Sequence, residues 1–125
     1  MDNNQMIEVA KRYIEIITSH DLDAMCSLFA DDAYQEDPVG NEPNIGMDAI
    51  KDFYTHVLSS DIQAELTGSI RCAGNSVAFP FDVVLGMQGT NLKLEVIIVF
   101  EFNEAAKIKT MKAYWGPENC SEVTS

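Results

Sequence analysis

At Ser59-Ser60-Asp61 the apolar residues stop recurring at helical spacing and begin to alternate. That switch divides the chain into a helical first half and a stranded second half, because the two periods bury a stripe and a face respectively. Before it, Met6, Val9, Ala10, Tyr13, Ile16 and Ile17 predict a helix from about Asn4 to Thr18, with Asn3 or Asn4 as its cap. His20-Asp21 breaks this helix, and Asp21 caps a second one expected over Leu22 to Ala30. His20 is read as a residue favouring the helix dipole. Tyr34 to Gly40 reads as a short strand running into a Pro/Gly loop. A third helix is expected over about Met47 to Leu58, with Ile50, Phe53, Tyr54 and Val57 inward and His56 exposed.

After the switch, four long antiparallel strands are expected: Ile62 to Cys72, Val77 to Leu85, Leu92 to Phe102 and Lys107 to Trp115. Pro80 marks an edge position or a bulge, since proline donates nothing to a ladder. Met87-Gln88-Gly89-Thr90-Asn91 supplies the hairpin connection. Gly116-Pro117 ends the last strand, and a polar tail follows. The order of elements indicates an α+β fold in one domain covering 1–125, with 1–3 and 118–125 as flexible ends. A curved sheet wrapped on the helices would enclose a pocket lined from the inward strand positions Phe79, Phe81, Val83, Ile98, Phe100, Met111 and Trp115.

Charge limits what that pocket could hold. Eight basic residues against 20 acidic ones give a formal charge of -12, which argues against nucleic acid and against anionic membrane surfaces. A neutral or cationic ligand remains open. The three cysteines, Cys26, Cys72 and Cys120, are odd in number and lack any zinc spacing, so neither a disulfide framework nor a metal site is expected. The first residues lack the basic and apolar regions of a signal peptide, and the expected location is cytoplasmic.

Phosphate loops, GxSxG elbows and HExxH helices are missing from the sequence. Cofactor-free chemistry would then fall to carboxylates and tyrosines. Glu36 and Asp37 read locally as ordinary loop acids, but the setting of Asp37 gives it a second reading as a carboxylate aimed into a cavity. Asp37 precedes Pro38, which disfavours the helical region for it, and it sits where a strand meets a loop. A carboxylate in an apolar cavity suits proton abstraction, because burial raises its pKa toward the working range.

The run Leu22-Asp23-Ala24 through Phe29-Ala30-Asp31-Asp32-Ala33, then Glu36-Asp37-Pro38-Val39-Gly40-Asn41-Glu42-Pro43, resembles the bacterial Δ5-3-ketosteroid isomerases. Arg12-Tyr13, Ile50-Lys51-Asp52-Phe53-Tyr54 and Thr110-Met111-Lys112-Ala113-Tyr114-Trp115 extend the resemblance over nearly the whole chain. The wider group has the cone-shaped fold of nuclear transport factor 2. The resemblance implies a homodimer formed through the sheet, covering Ile97 and Val99, and an apolar 3-oxo-steroid as ligand, with no cofactor. It implies Asp37 as the base that moves a proton from C4 to C6, and Tyr13 as donor to the oxyanion at O3. Tyr54 would support Tyr13, and Phe53, Phe81, Met111 and Trp115 would line the site. In the family the hole is completed by a protonated aspartic acid.

Here the resemblance breaks. The third long strand reads Val96-Ile97-Ile98-Val99-Phe100, so Ile98 stands at the position of that acid and cannot donate a hydrogen bond. Glu95 is the nearest acid and belongs to the opposite face unless a bulge intervenes. Phe29 replaces a second family tyrosine. The expectation is therefore a steroid Δ-isomerase of reduced activity. Two alternatives stay open: related cofactor-free chemistry on another enolisable ketone or an epoxide, and plain binding of an apolar ligand.

Overall fold

The computed structural model describes residues 1–87 and 89–123. Three helices, α1 (Asn3–Ser19), α2 (Leu22–Cys26) and α3 (Met47–Leu58), pack against a curved sheet. Its strands are β1 (Phe29–Glu36), β2 (Asn44–Ile45), β3 (Ile62–Leu66), β4 (Arg71–Ala73), β5 (Ser76–Met87), β6 (Thr90–Phe102), β7 (Ile108–Tyr114) and β8 (Cys120–Val123). The main path runs β2-β1-β7-β6-β5-β3, with β4 added to β5 and β8 to β6. Only β1 and β7, among the described residues, run parallel. No helix there is long and apolar enough to cross a membrane.

The alternation in β5 and β6 sets the core. Val77, Phe79, Phe81 and Val83 point inward from β5, and Val96, Ile98, Phe100 and Phe102 from β6. The register between these strands is unbroken from Ser76 opposite Glu101 to Met87 opposite Thr90, so every inward position stays inward. Gln88 of the expected hairpin connection lies outside the described residues, as do Thr124 and Ser125.

Several element boundaries differ from expectation. Asp2, rather than Asn3 or Asn4, caps α1, accepting from Gln5 N–H while the Gln5 side chain takes the Asp2 N–H. The second helix stops at Cys26, because Phe29 enters the sheet opposite Ile108 of β7 and both become buried there. Long-range pairing outweighs the local helical pattern at Phe29-Ala30. The expected strand Ile62 to Cys72 is two strands, β3 and β4, both paired to β5. Pro80 faces the break between them: its carbonyl accepts from Thr67 N–H at 3.2 Å, so its missing donor also points to that side, where no ladder bond is needed. Within the expected polar tail, Cys120 to Val123 pair with Leu94 to Asn91 of β6.

His20 ends α1 in the left-handed conformation, at φ 60°. Its ring reaches the Leu58 and Ile62 carbonyls at 2.9 and 3.0 Å, clipping the start of β3 to the end of α1.

Candidate active site

A cavity of about 280 Å³ lies between α1, α3 and the inner face of the sheet. Its floor is made of buried residues, Tyr13, Tyr54, Phe81, Val96 and Ile98, and its rim of half-buried ones, among them Phe53, Val57, Leu85, Leu94 and Trp115. Asp37 is the one carboxylate that lines it among the described residues. A broader depression of about 730 Å³ opens on the outer face of the sheet, against Ile97, Tyr114, Asp82 and Glu95. It contains neither Tyr13 nor Asp37, and the chemistry argues for the inner cavity.

Asp37 follows directly on β1, and the chain turns there through a cis bond to Pro38. The turn is braced from both sides. Glu36 accepts from Tyr34 O–H at 2.7 Å and from Gly40 N–H at 3.2 Å, and Val39 N–H donates to the Ala113 carbonyl on β7 at 2.8 Å. These bonds hold the Glu36 carboxyl below the usual carboxylate range, the Tyr34 hydroxyl contributing most. Glu36 therefore shapes the loop that carries Asp37 and does not face the cavity.

The Asp37 carboxylate takes the indole N–H of Trp115 at 2.8 Å. Burial among apolar side chains pushes its pKa above the ordinary aspartate value, and the Trp115 donor partly offsets this. Replacing Trp115 with phenylalanine removes the donor to the charged form. The Asp37 pKa should then rise further, read as an upward shift of its side-chain carbon titration by NMR. A downward shift, or none, would show that the indole contributes nothing to the carboxylate.

Tyr13 and Tyr54 meet at the cavity floor, their hydroxyls 2.8 Å apart. Tyr13 is enclosed edge-on by Phe79, Phe81 and Phe100, with centroid distances of 6.2, 6.2 and 5.3 Å. Burial, reinforced for Tyr13 by the Asp37 charge, holds both phenols far above their ordinary range. Each therefore stays neutral and able to donate. Among the described residues Tyr13 has no hydrogen-bond partner other than Tyr54, which leaves its remaining capacity for a ligand.

Ile98 projects into this cavity and is 1% exposed. The unbroken β5–β6 register keeps Glu95 on the outer face opposite Asp82, so it cannot stand in for the acid that Ile98 displaces. Phe29 packs on the Tyr54 ring at 5.8 Å and offers it no polar group.

Phe53, Phe81 and Trp115 line the cavity. Three other expected lining residues, Phe79, Phe100 and Met111, do not, and the structure corrects them: each is fully buried behind the cavity wall. Phe100 and Met111 face each other across β6 and β7, fully buried one layer behind the two tyrosines. Phe100 supports the Tyr13 ring, and the Met111 sulfur lies 3.3 Å from the Tyr54 hydroxyl. Period-two alternation identifies their face but not their depth in a tapering cone.

One site residue escaped the sequence reading altogether. Gln35 on β1 is the only fully buried polar side chain among the described residues. Its amide N–H groups reach the Tyr54 oxygen at 3.1 Å and the Met111 sulfur at 3.3 Å, and its carbonyl accepts from the Asn44 amide at 2.9 Å. The available signal was a polar residue at an inward-facing position of an alternating strand.

Residues 10–111 match the SnoaL-like domain. The chain is 31% identical to the steroid Delta-isomerase of Nocardioides simplex over 106 residues, covering 85% of each protein. It is also 31% identical to the epoxide hydrolase LasB of Streptomyces lasalocidi over 120 residues, 91% of this chain but 42% of that protein. The solved structure of SalBIII, described as an epoxide hydrolase/cyclase-like enzyme in pyran ring formation in salinomycin, superposes with a TM-score of 0.89 at 24% identity, covering 96% of this chain and 97% of that one. That likeness carries the fold, and with it the expected cone of helices on a curved, mainly antiparallel sheet.

Proposed function

This chain belongs to the SnoaL-like domain family, and from that premise we propose that it is a steroid Δ-isomerase, moving a C5=C6 double bond to C4=C5 in a 3-oxo-steroid. The observation that carries the reading is the sharing of one apolar cavity by a lone carboxylate, Asp37, and a hydroxyl donor, Tyr13. Asp37 takes the C4 proton, the C4–H electron pair becomes the C3=C4 bond as the carbonyl pair moves onto O3, and the dienolate oxygen accepts a hydrogen bond from Tyr13. The same carboxyl then returns the proton at C6. The apolar walls suit a neutral polycyclic ketone, and they keep water from quenching the intermediate. With Ile98 in the second donor position, the oxyanion relies on Tyr13 alone, and turnover should fall below that of a two-donor site.

Epoxide opening is the second reading, favoured by the similarity to LasB. It requires an acid to protonate the departing oxygen while a base activates water. Tyr13, with its pKa far above the working range, is a weak acid for that task, whereas it suits donation to an enolate.

The test is ultraviolet detection of conjugated enone formed from 5-androstene-3,17-dione. Wild-type protein should produce it, and Tyr13→Phe should lower kcat on the order of 100-fold with a small change in KM. A folded wild-type protein that binds the steroid without converting it would overturn the reading.

A further inference from the structure

A row of polar groups leads away from the cavity, and the reaction as described uses only its inner end. It begins at Asn44 on β2, half-buried near the surface, whose amide donates to the Gln35 carbonyl at 2.9 Å. Gln35 donates to the Tyr54 oxygen at 3.1 Å, and the Tyr54 and Tyr13 hydroxyls lie 2.8 Å apart. Gln35 and Asn44 are directly paired across β1 and β2, so the outer contact is held by the sheet itself.

The direction of these bonds matters. An amide can present either its N–H₂ or its carbonyl to a neighbour. Asn44 donating to Gln35 fixes the Gln35 carbonyl outward and its N–H groups toward Tyr54. Tyr54 then has its oxygen engaged as an acceptor, and one proton to place. The competing acceptors are Tyr13 at 2.8 Å and the Met111 sulfur at 3.3 Å, and thioether sulfur is a weak acceptor. Tyr54 donates to Tyr13, and the Tyr13 proton is left to point at the ligand.

We infer that Gln35 is a positioning residue that, held by Asn44, orients the Tyr54–Tyr13 pair so that Tyr13 donates into the cavity, supplying through Tyr54 a donor where Phe29 offers none. The inference rests on the reading of Tyr13 as donor to a developing oxyanion. It does not depend on which enolisable substrate carries that charge. Hydrogen bonds in such a row strengthen one another, so the outermost amide contributes to the strength of the innermost donor.

The experiment uses 2-naphthol, a planar phenol whose absorbance and emission report the ionised fraction of the bound molecule. It is bound in an Asp37→Asn background, where position 37 is neutral as it is once it holds the proton. Isomerisation is measured in parallel with Asp37 intact. Gln35→Leu keeps the apolar volume and removes the donor. It should lower the ratio of bound naphtholate to naphthol about 5- to 10-fold and kcat similarly, with KM moving less than about 2-fold. Asn44→Asp, close to the surface and nearly isosteric, presents an acceptor to Gln35 and so turns its amide around. It reverses the row, commits the Tyr13 proton to Tyr54, and should lower the ratio at least as much.

If Gln35→Leu does not fold, Asn44→Asp carries the test alone. Folded variants with unchanged naphtholate ratio and unchanged kcat overturn the inference, as does an Asp37→Asn cavity with Gln35 and Asn44 intact that ionises naphthol no better than buffer. A protein inert toward the steroid whose naphtholate ratio still falls in both variants leaves Gln35 in its role and removes the isomerase reading instead.

Discussion

The Ile98→Asp variant should isomerise 5-androstene-3,17-dione about 100- to 1,000-fold faster than the parent protein, the usual worth of one oxyanion donor. Ile98 is 1% exposed and shares the cavity with Tyr13 and Asp37. A carboxyl placed there among Val96, Phe81 and Tyr13 would be kept protonated by desolvation, and a protonated acid donates a hydrogen bond. The exchange also replaces a packed isoleucine with a smaller polar group, at a cost of roughly 2–5 kcal/mol in stability. Rates must therefore be compared per folded molecule, with thermal unfolding as the control. Ile98→Asn, which donates but cannot ionise, separates donation from charge. A folded Ile98→Asp protein with no gain would mean that O3 of the steroid does not rest beside this residue, and the substrate assignment would fall with it.

Asp37→Asn should have the largest loss, a fall in kcat of roughly 100- to 10,000-fold, the range for removal of a general base. It should also make the protein more stable at neutral pH. The folded-state pKa of Asp37 lies above its unfolded value, so its neutral form is the one folding favours. That preference is fully satisfied below about pH 4 and is lost as the pH rises through the raised pKa. Asparagine never ionises and can still accept from Trp115, so the variant should melt higher at pH 7 and converge with the parent in acid. Equal melting temperatures at neutral pH would contradict the burial assigned to this carboxylate. The parent kcat/KM should fall as the solution is acidified, with a midpoint above the ordinary aspartate value of about 3.9.

What could be read from the sequence follows the reach of each signal. Helix α3 and strands β5 to β7 are long and strongly periodic, and their faces were legible to within a residue or two. The end of α2 was not, because Phe29 and Ala30 continue a helical pattern locally and are claimed by β7 from the far end of the chain. Pro38 and the strand before it marked the Glu36-Asp37 stretch, but locally both read as ordinary loop acids and Tyr13 and Tyr54 as core tyrosines; only the resemblance to a family brought Asp37, Tyr13 and Tyr54 together. Phe100 and Met111 share the inward face with true lining residues, and depth leaves no mark on period two. Gln35 was hidden for the opposite reason. It interrupts an apolar face, and its value depends on three partners distant in sequence, Asn44, Tyr54 and Met111.

The parallel pairing of β1 with β7 joins two distant parts of the chain at one wall of the cavity. Asp37 hangs from the end of β1, and its donor Trp115 from the end of β7. Tyr13, Gln35, Asn44 and Tyr54 all lie in the first half of the chain, so a polypeptide emerging from the ribosome has them in hand early. It cannot anchor Asp37 until β7 arrives and docks beside β1, a contact of long sequence separation that forms slowly. Asp37 and its donor, 78 residues apart in sequence, meet only where β7 lies beside β1, and a chain cut short before β7 would lack the indole that holds the carboxylate.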